Sequence, residues 1–395
     1  MTVGTAAQPR FGPSERLAKL PPYLFVEIDK AKRKLQAEGK DVIDLGVGDP
    51  DLPTPPHILK ALHETADQGV NHRYSFTEGV PQLRRAIAAW YQRRFNVTLD
   101  PDTEVLPLLG SKEGIAHLPL AIANPGDAVL VPDPCYPPYR SGTVFAGADI
   151  VSMPLLEENG FFPDVGAISQ KAVRRTKIMF LNYPNNPTAA IATAAQYQEA
   201  LDLAKTYGFA IAHDAAYSEI AFDGHRPMSF LELPEAKSVG IEFHSLSKTY
   251  NMTGWRIGWA CGNAKLIAAL GKLKNNIDSG IFQPVQWAGI QALEGDQAPF
   301  QQTLAIYQER RDVLVDGLGK AGWNIAKPKA SLYIWTRVPT QESSIEFART
   351  LLERANVVLT PGVGFGPSGE GYIRMSLTVP TDRIREAVDR LARAL

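Results

Sequence analysis

Lys248 follows an apolar run within Ser245-Leu246-Ser247-Lys248-Thr249-Tyr250-Asn251-Met252-Thr253-Gly254-Trp255-Arg256. Set near a buried strand, such an amine would have its pKa lowered by burial and a nearby cation. It would then be a competent nucleophile towards an aldehyde. The same amine can move a proton at a substrate carbon. Taken alone, a lysine is most often an ordinary surface residue. Arg256, eight positions on, offers a planar fork for a phosphate. Asp214 ends the run Phe209-Ala210-Ile211-Ala212-His213. A carboxylate there could keep a pyridine nitrogen protonated, or simply cap a helix. Tyr217 could donate its hydroxyl to a ring oxygen, and His213 reads as a packed neighbour rather than a metal ligand.

Gly110-Ser111-Lys112-Glu113-Gly114 follows the apolar Val105–Leu109 and precedes a helical pattern. Backbone N–H groups at such a helix start form an anion site. The stretch lacks the nucleotide P-loop pattern, so it suits a single phosphate monoester. Prolines around Tyr136, in Pro132-Asp133-Pro134-Cys135-Tyr136-Pro137-Pro138-Tyr139, would hold an aromatic face against a flat ligand. Asn186, in Asn182-Tyr183-Pro184-Asn185-Asn186-Pro187-Thr188, could donate to a ring hydroxyl. Arg374, in Gly371-Tyr372-Ile373-Arg374-Met375-Ser376, falls in a strand pattern and could take a carboxylate bidentately. Gly362-Val363-Gly364-Phe365-Gly366 lacks the setting of a dinucleotide fingerprint and reads as a tight loop.

These residues need a scaffold. Val129–Val131, Ile178–Leu181, Phe209–Ala212, Ile241–Phe243 and Ile257–Ala260 read as buried strands, alternating with amphipathic stretches such as Ala194–Tyr207. Polar residues cluster where the central runs end, and in open α/β sheets ligands sit outside the carboxyl ends of the strands. Pro81 suits a helix first turn, with Leu83, Ile87 and Trp90 or Tyr91 on one face. Thr381 is expected to cap a last helix whose face is Ile384, Val388, Leu391 and Leu395.

With 395 residues the chain is long enough for two domains. Its formal net charge of -1 argues against a phosphate-backbone binder, which would carry a basic excess. Cys135 and Cys261 match no zinc or redox spacing, so two free thiols and no metal are expected. No signal peptide and no membrane-spanning run are visible, which points to a cytoplasmic protein. Nucleic-acid and membrane partners are not expected.

Together these segments resemble the fold-type I aminotransferases of class I/II, from Asp44-Leu45-Gly46-Val47-Gly48-Asp49-Pro50 to the Arg374 strand. The resemblance rests on the order and separation of six motifs. It implies a mostly parallel central sheet in a large domain (51-295) and a smaller α/β domain built from both termini (14-50 and 296-395). It also implies pyridoxal 5'-phosphate as a Schiff base on Lys248. By the same resemblance Asp214 partners the pyridinium nitrogen, Asn186 and Tyr217 bond the ring oxygen, and Tyr136 stacks on the ring. Ser111, the Lys112 backbone, Ser245, Ser247 and Arg256 would hold the phosphate. Arg374 would take the substrate α-carboxylate, helped by the Gly48 backbone. Tyr74 would reach the phosphate of the other subunit, implying a homodimer. Ala189 departs from the pattern, because the Asn-Pro-Thr motif usually continues with glycine.

Within that family, Leu20-Pro21-Pro22-Tyr23-Leu24-Phe25, Gly110 through Pro119 and Glu242 through Arg256 are similar to the LL-diaminopimelate aminotransferases of lysine biosynthesis. Tyr23 would lie over the substrate. The glutamate that reads the distal amino group in the better-known branch is replaced by Thr77, with Glu78 beside it. The asparagine supplied by the partner is replaced by Gln283. Aspartate, alanine or glutamate therefore stand as alternative donors, with 2-oxoglutarate as the expected 2-oxo acid. A lyase or decarboxylase on the same scaffold, or an effector-binding domain of a transcription regulator, are the rival functions. A nicotinamide dehydrogenase would need a glycine fingerprint that is absent.

Overall fold

A computed structural model of the chain describes residues 12–20, 24–76 and 78–395. Tyr23 and Thr77 lie outside the described residues. A short strand β1 (Ile43–Asp44) precedes the main sheet of β2 (Val105–Leu108), β3 (Ala128–Asp133), β4 (Asp149–Pro154), β5 (Thr176–Asn182), β6 (Ala210–Asp214), β7 (Gly240–Ser245) and β8 (Gly258–Gly262). The order across this seven-stranded sheet is β2-β8-β7-β6-β5-β3-β4. β4, β3, β5, β6 and β7 run parallel, while β8 is antiparallel to both β7 and β2. All residues of β3, β6, β7 and β8 are buried. Strands covered by helices on both faces lose the in–out alternation and become continuous apolar runs, which is why they stand out in the sequence.

On one face the helix Ser111–Ile122 packs with Pro138–Ala146 and Ala264–Lys274 over Leu106, Val129, Ile178 and Phe243. The other face is covered by a larger core that includes Pro81–Phe95, Ala194–Tyr207 and Gln283–Glu294. Pro81 opens its helix, and Leu83, Ile87, Trp90 and Tyr91 are all buried. That helix stops at Asn96 in the left-handed region, a conformation asparagine tolerates well. Thr193 caps Ala194–Tyr207 through a reciprocal bond with Gln196.

Two smaller sheets follow, one built from C-terminal strands alone and one joining both ends of the chain. β9 (Tyr333–Arg337), β11 (Thr360–Pro361) and β12 (Tyr372–Ser376) form an antiparallel set in the order β11-β12-β9. β10 (Val357–Val358) pairs parallel with β1. Thr381 departs from its expected role: it is the first residue of the helix Thr381–Ala394, Pro380 holds the cap position, and no side chain caps that end. Ile384, Val388 and Leu391 are buried as expected, but Leu395, at the C-cap of the helix, is exposed. Gly362–Phe365 forms a single 3₁₀ turn, the tight loop anticipated. Both cysteines are free and buried. Among the described residues no helix is long and apolar enough to cross a membrane.

Candidate active site

Strand register brings the polar residues to one edge. Asn182 pairs with Asp214, and Asp214 with Phe243, so the ends of β5, β6 and β7 open on the same side. There a cavity of about 520 Å³ is lined by Lys248, Asp214, Tyr217, Asn186 and Tyr136. Gly48, Ser111, Lys112, Ser245, Ser247 and Arg256 complete the predicted part of its wall, and Val47, Asp49, Ala216 and Thr253 join them.

Lys248 sits in the single helical turn Leu246–Thr249 after β7. It is half-buried, and its Nζ donates to the Gly48 carbonyl at 2.7 Å. Asp214 is buried. The Tyr139 hydroxyl donates to its Oδ2 at 2.8 Å, the Ala216 N–H to its Oδ1 at 3.3 Å, and the Asn182 amide to its main-chain carbonyl at 2.8 Å. Burial pushes the Asp214 carboxyl up to about 6, against the opposing pull of the Tyr139 and Ala216 hydrogen bonds and of His213. His213 itself points away, held between Glu242 at 2.7 Å and the Tyr197 hydroxyl at 2.9 Å. It is a packed neighbour.

The other end of the cavity is built for an anion. Gly110 precedes the helix Ser111–Ile122 with φ of 79° and no side-chain cap, leaving the first N–H groups of that helix open. A Cβ on Gly110 would fall 2.3 Å from Arg256 Nη2, and one on Gly258 would fall 2.9 Å from the Ser111 nitrogen. Glycine lets arginine, helix start and strand approach this closely. Arg256 is anchored on the Thr253 carbonyl at 2.7 Å and the Leu109 carbonyl at 3.1 Å. The Ser245 hydroxyl accepts the Ser247 N–H at 3.1 Å. Behind the helix start, Glu113 accepts the Leu109 N–H at 2.7 Å and binds Lys274 at 3.0 Å. Lys274 is fully enclosed and also pairs with Asp278.

Arg374 stands behind Asn186, donating to its Oδ1 at 2.9 Å and to the Gly46 carbonyl at 2.6 Å. Its guanidinium lies 4.2 Å from the ring centre of Tyr333 and 4.6 Å from that of Phe365. Tyr217 bonds the Tyr333 hydroxyl at 3.0 Å. The aromatic ring of Tyr136 meets Tyr139 edge-on. Tyr74 and Glu78 are exposed, Gln283 is half-buried, and none of the three lines this cavity; Gln283 donates to the Arg73 carbonyl at 3.2 Å. Ala189 adopts φ of 56°, in the left-handed region, which accounts physically for a glycine preference there. Tyr139 and Tyr333 carry no role in the sequence reading. Tyr139 meets Asp214 across 75 residues and Tyr333 meets Tyr217 across 116, so no local spacing could reveal either.

The donor set suits pyridoxal phosphate. A buried carboxyl with a raised pKa calls for a cationic N–H beside it, and the glycine cradle with its open helix start calls for a phosphate. A half-buried lysine lies in the same cavity. Among the described residues no group of acidic, histidine or cysteine side chains could hold a metal ion.

A family model described as aminotransferase class I and II matches residues 40–391, and the chain belongs to that family. It is 54% identical over 381 residues to an LL-diaminopimelate aminotransferase of Desulforudis audaxviator, covering 96% of this chain and 97% of that one. Among solved structures, substrate-bound BacF from Bacillus subtilis superimposes with a TM-score of 0.93 at 42% identity, covering 97% of this chain and 98% of that one. A Thermus thermophilus aspartate aminotransferase double mutant gives 0.90 at 30% identity, with 98% of this chain and all of that one covered.

Proposed function

We propose that this enzyme transfers an amino group from LL-2,6-diaminopimelate to 2-oxoglutarate, with pyridoxal 5'-phosphate held on Lys248, in cytoplasmic lysine biosynthesis. The observation carrying this reading is identity of 50–55% across nearly the full chain to relatives bearing the LL-diaminopimelate aminotransferase name. When bound, pyridoxal phosphate supplies an aldehyde carbon open to amine attack and a protonated ring that takes up electrons from Cα.

The chain's own residues do the rest. Lys248 would hold the cofactor through its Nζ, and when free of it that amine would take up and return the proton at the substrate Cα. Asp214 keeps the ring nitrogen protonated, and Tyr139 keeps that carboxylate oriented. Asn186 and Tyr217 donate to the ring oxygen, and Tyr136 covers a ring face. Ser111, the Lys112 N–H, Ser245, Ser247 and Arg256 bind the phosphate. Arg374 takes the α-carboxylate together with the Gly48 N–H, which orients the Cα proton towards Lys248.

A homodimer completes the site. Tyr74 of each subunit reaches the other's phosphate and Gln283 of each reaches the other's substrate site, while Thr77 or Glu78 reads the distal amino group of the substrate. Tyr23 covers that substrate. The division into a large domain (51-295) and a small one (14-50 and 296-395) belongs to the same proposal.

A donor panel of LL-diaminopimelate, aspartate, alanine and glutamate, compared by kcat/KM with 2-oxoglutarate, tests the substrate. LL-diaminopimelate is expected to lead. A lead for a monoamino acid with no diaminopimelate turnover would overturn it.

A further inference from the structure

Tyr333, on β9, touches Tyr217 and Gly48 of the cavity wall and Arg374 behind it, three residues from distant segments. Its hydroxyl lies 3.0 Å from that of Tyr217. Its ring faces the Arg374 guanidinium at 4.2 Å. A Cβ on Gly48 would fall 2.2 Å from the same hydroxyl, so the main chain that accepts the Lys248 ammonium runs directly against it. Both phenols and the arginine are buried, with Tyr333 at 3% and Tyr217 at 6% exposure.

Between two phenols one must donate. Among the described residues, Tyr217 is the hydrogen-bond partner that the Tyr333 hydroxyl has. Tyr217 borders the cavity and Tyr333 does not. If Tyr217 donated to Tyr333, its proton would be turned away from the cavity, and the Tyr333 proton would lack an acceptor in a buried site, a costly arrangement. We infer that Tyr333 is a positioning residue: its hydroxyl donates to Tyr217 and so aims the Tyr217 proton into the cavity, at the cofactor's ring oxygen. A phenol that accepts one hydrogen bond becomes a stronger donor in the next, because the two bonds polarise each other. The ring of Tyr333 meanwhile supports the face of Arg374, which places ring-oxygen donor and carboxylate fork on one side chain.

The inference rests on the proposal that Lys248 carries pyridoxal phosphate and that Tyr217 faces its ring oxygen. Tyr333→Phe keeps the ring and removes the donated bond. The readout is the pH at which the absorbance of the lysine-bound cofactor changes form, measured without substrate. Loss of a donor to the oxygen disfavours its anionic form, so that midpoint is expected to rise by about half a pH unit in Tyr333→Phe. It should rise further in Tyr217→Phe, and adding Tyr333→Phe to Tyr217→Phe should then change nothing, since the path runs through Tyr217. The amino-acid KM should stay near that of the wild type in Tyr333→Phe and rise in Tyr333→Leu, which also loses the face over Arg374.

An unchanged midpoint in Tyr333→Phe, or an undiminished shift on the Tyr217→Phe background, would overturn the inference. Absence of any lysine-bound cofactor absorbance in the wild type would instead overturn the proposal beneath it.

Discussion

Asp214 is enclosed with two hydrogen-bond donors and, among the described residues, no salt-bridge partner. Its carboxyl is raised from 3.8 to about 6, with burial as the main cause. The folded chain therefore holds this proton more tightly than the unfolded chain does. Between those two values the apo protein loses stability as pH rises, and above the folded value the loss is complete. Asp214→Asn removes the charge and keeps the shape. The apo variant is expected to gain on the order of 2 kcal/mol over wild type at about pH 8, and nothing at about pH 3, where the wild-type carboxyl is already protonated. Chemical denaturation of cofactor-free protein at both pH values checks this. The same variant should turn over far more slowly, since an amide cannot hold a ring nitrogen protonated. Asp214 was legible in the sequence as a polar residue closing an apolar run. Its partner Tyr139 was not, because a strand end and a helix that meet across 75 residues share no local pattern.

At the scale of elements, the anion site depends on how the helix Ser111–Ile122 is held. Glu113, in its first turn, ties back to Leu109 and across to Lys274 in the helix Ala264–Lys274. Lys274 is fully buried between Glu113 and Asp278. Removing the cation leaves two partly buried carboxylates facing each other, so Lys274→Ala is expected to cost about 1–3 kcal/mol in urea unfolding, less than for a fully buried pair. Its cofactor affinity should fall as well, because the helix start loses its brace. A variant as stable as wild type would show that water reaches these carboxylates. The strands that frame this site were readable as short apolar runs because both faces of the sheet are covered. The last helix was readable by its period, yet its start was misplaced: Pro380 already fixes the extended backbone before the first turn, leaving Thr381 inside the helix. The Glu113–Lys274 pair left no trace in sequence, since its members lie 161 residues apart and meet by packing.

At the scale of the whole molecule, the segments around Tyr74 and Phe282 touch, His72 lying against Phe282, and both expose apolar side chains. Val70, Tyr74, Phe76, Ile277 and Phe282 are all more than half exposed. Exposed apolar residues grouped in this way mark an interaction surface, and the proposed homodimer would cover them while delivering Tyr74 to the second site. Sedimentation equilibrium is expected to give twice the 43.2 kDa chain mass. A monomer with full activity would remove the shared-site account. Lys248 and its surroundings are expected to carry out transamination rather than another reaction of the same cofactor. This is tested most directly by mixing holoenzyme with LL-diaminopimelate in the absence of any 2-oxo acid. The expected result is stoichiometric conversion of the bound cofactor to pyridoxamine phosphate with one 2-oxo product per site, and none in Lys248→Ala. Release of carbon dioxide or ammonia with the cofactor unchanged, or full conversion in Lys248→Ala, would contradict it.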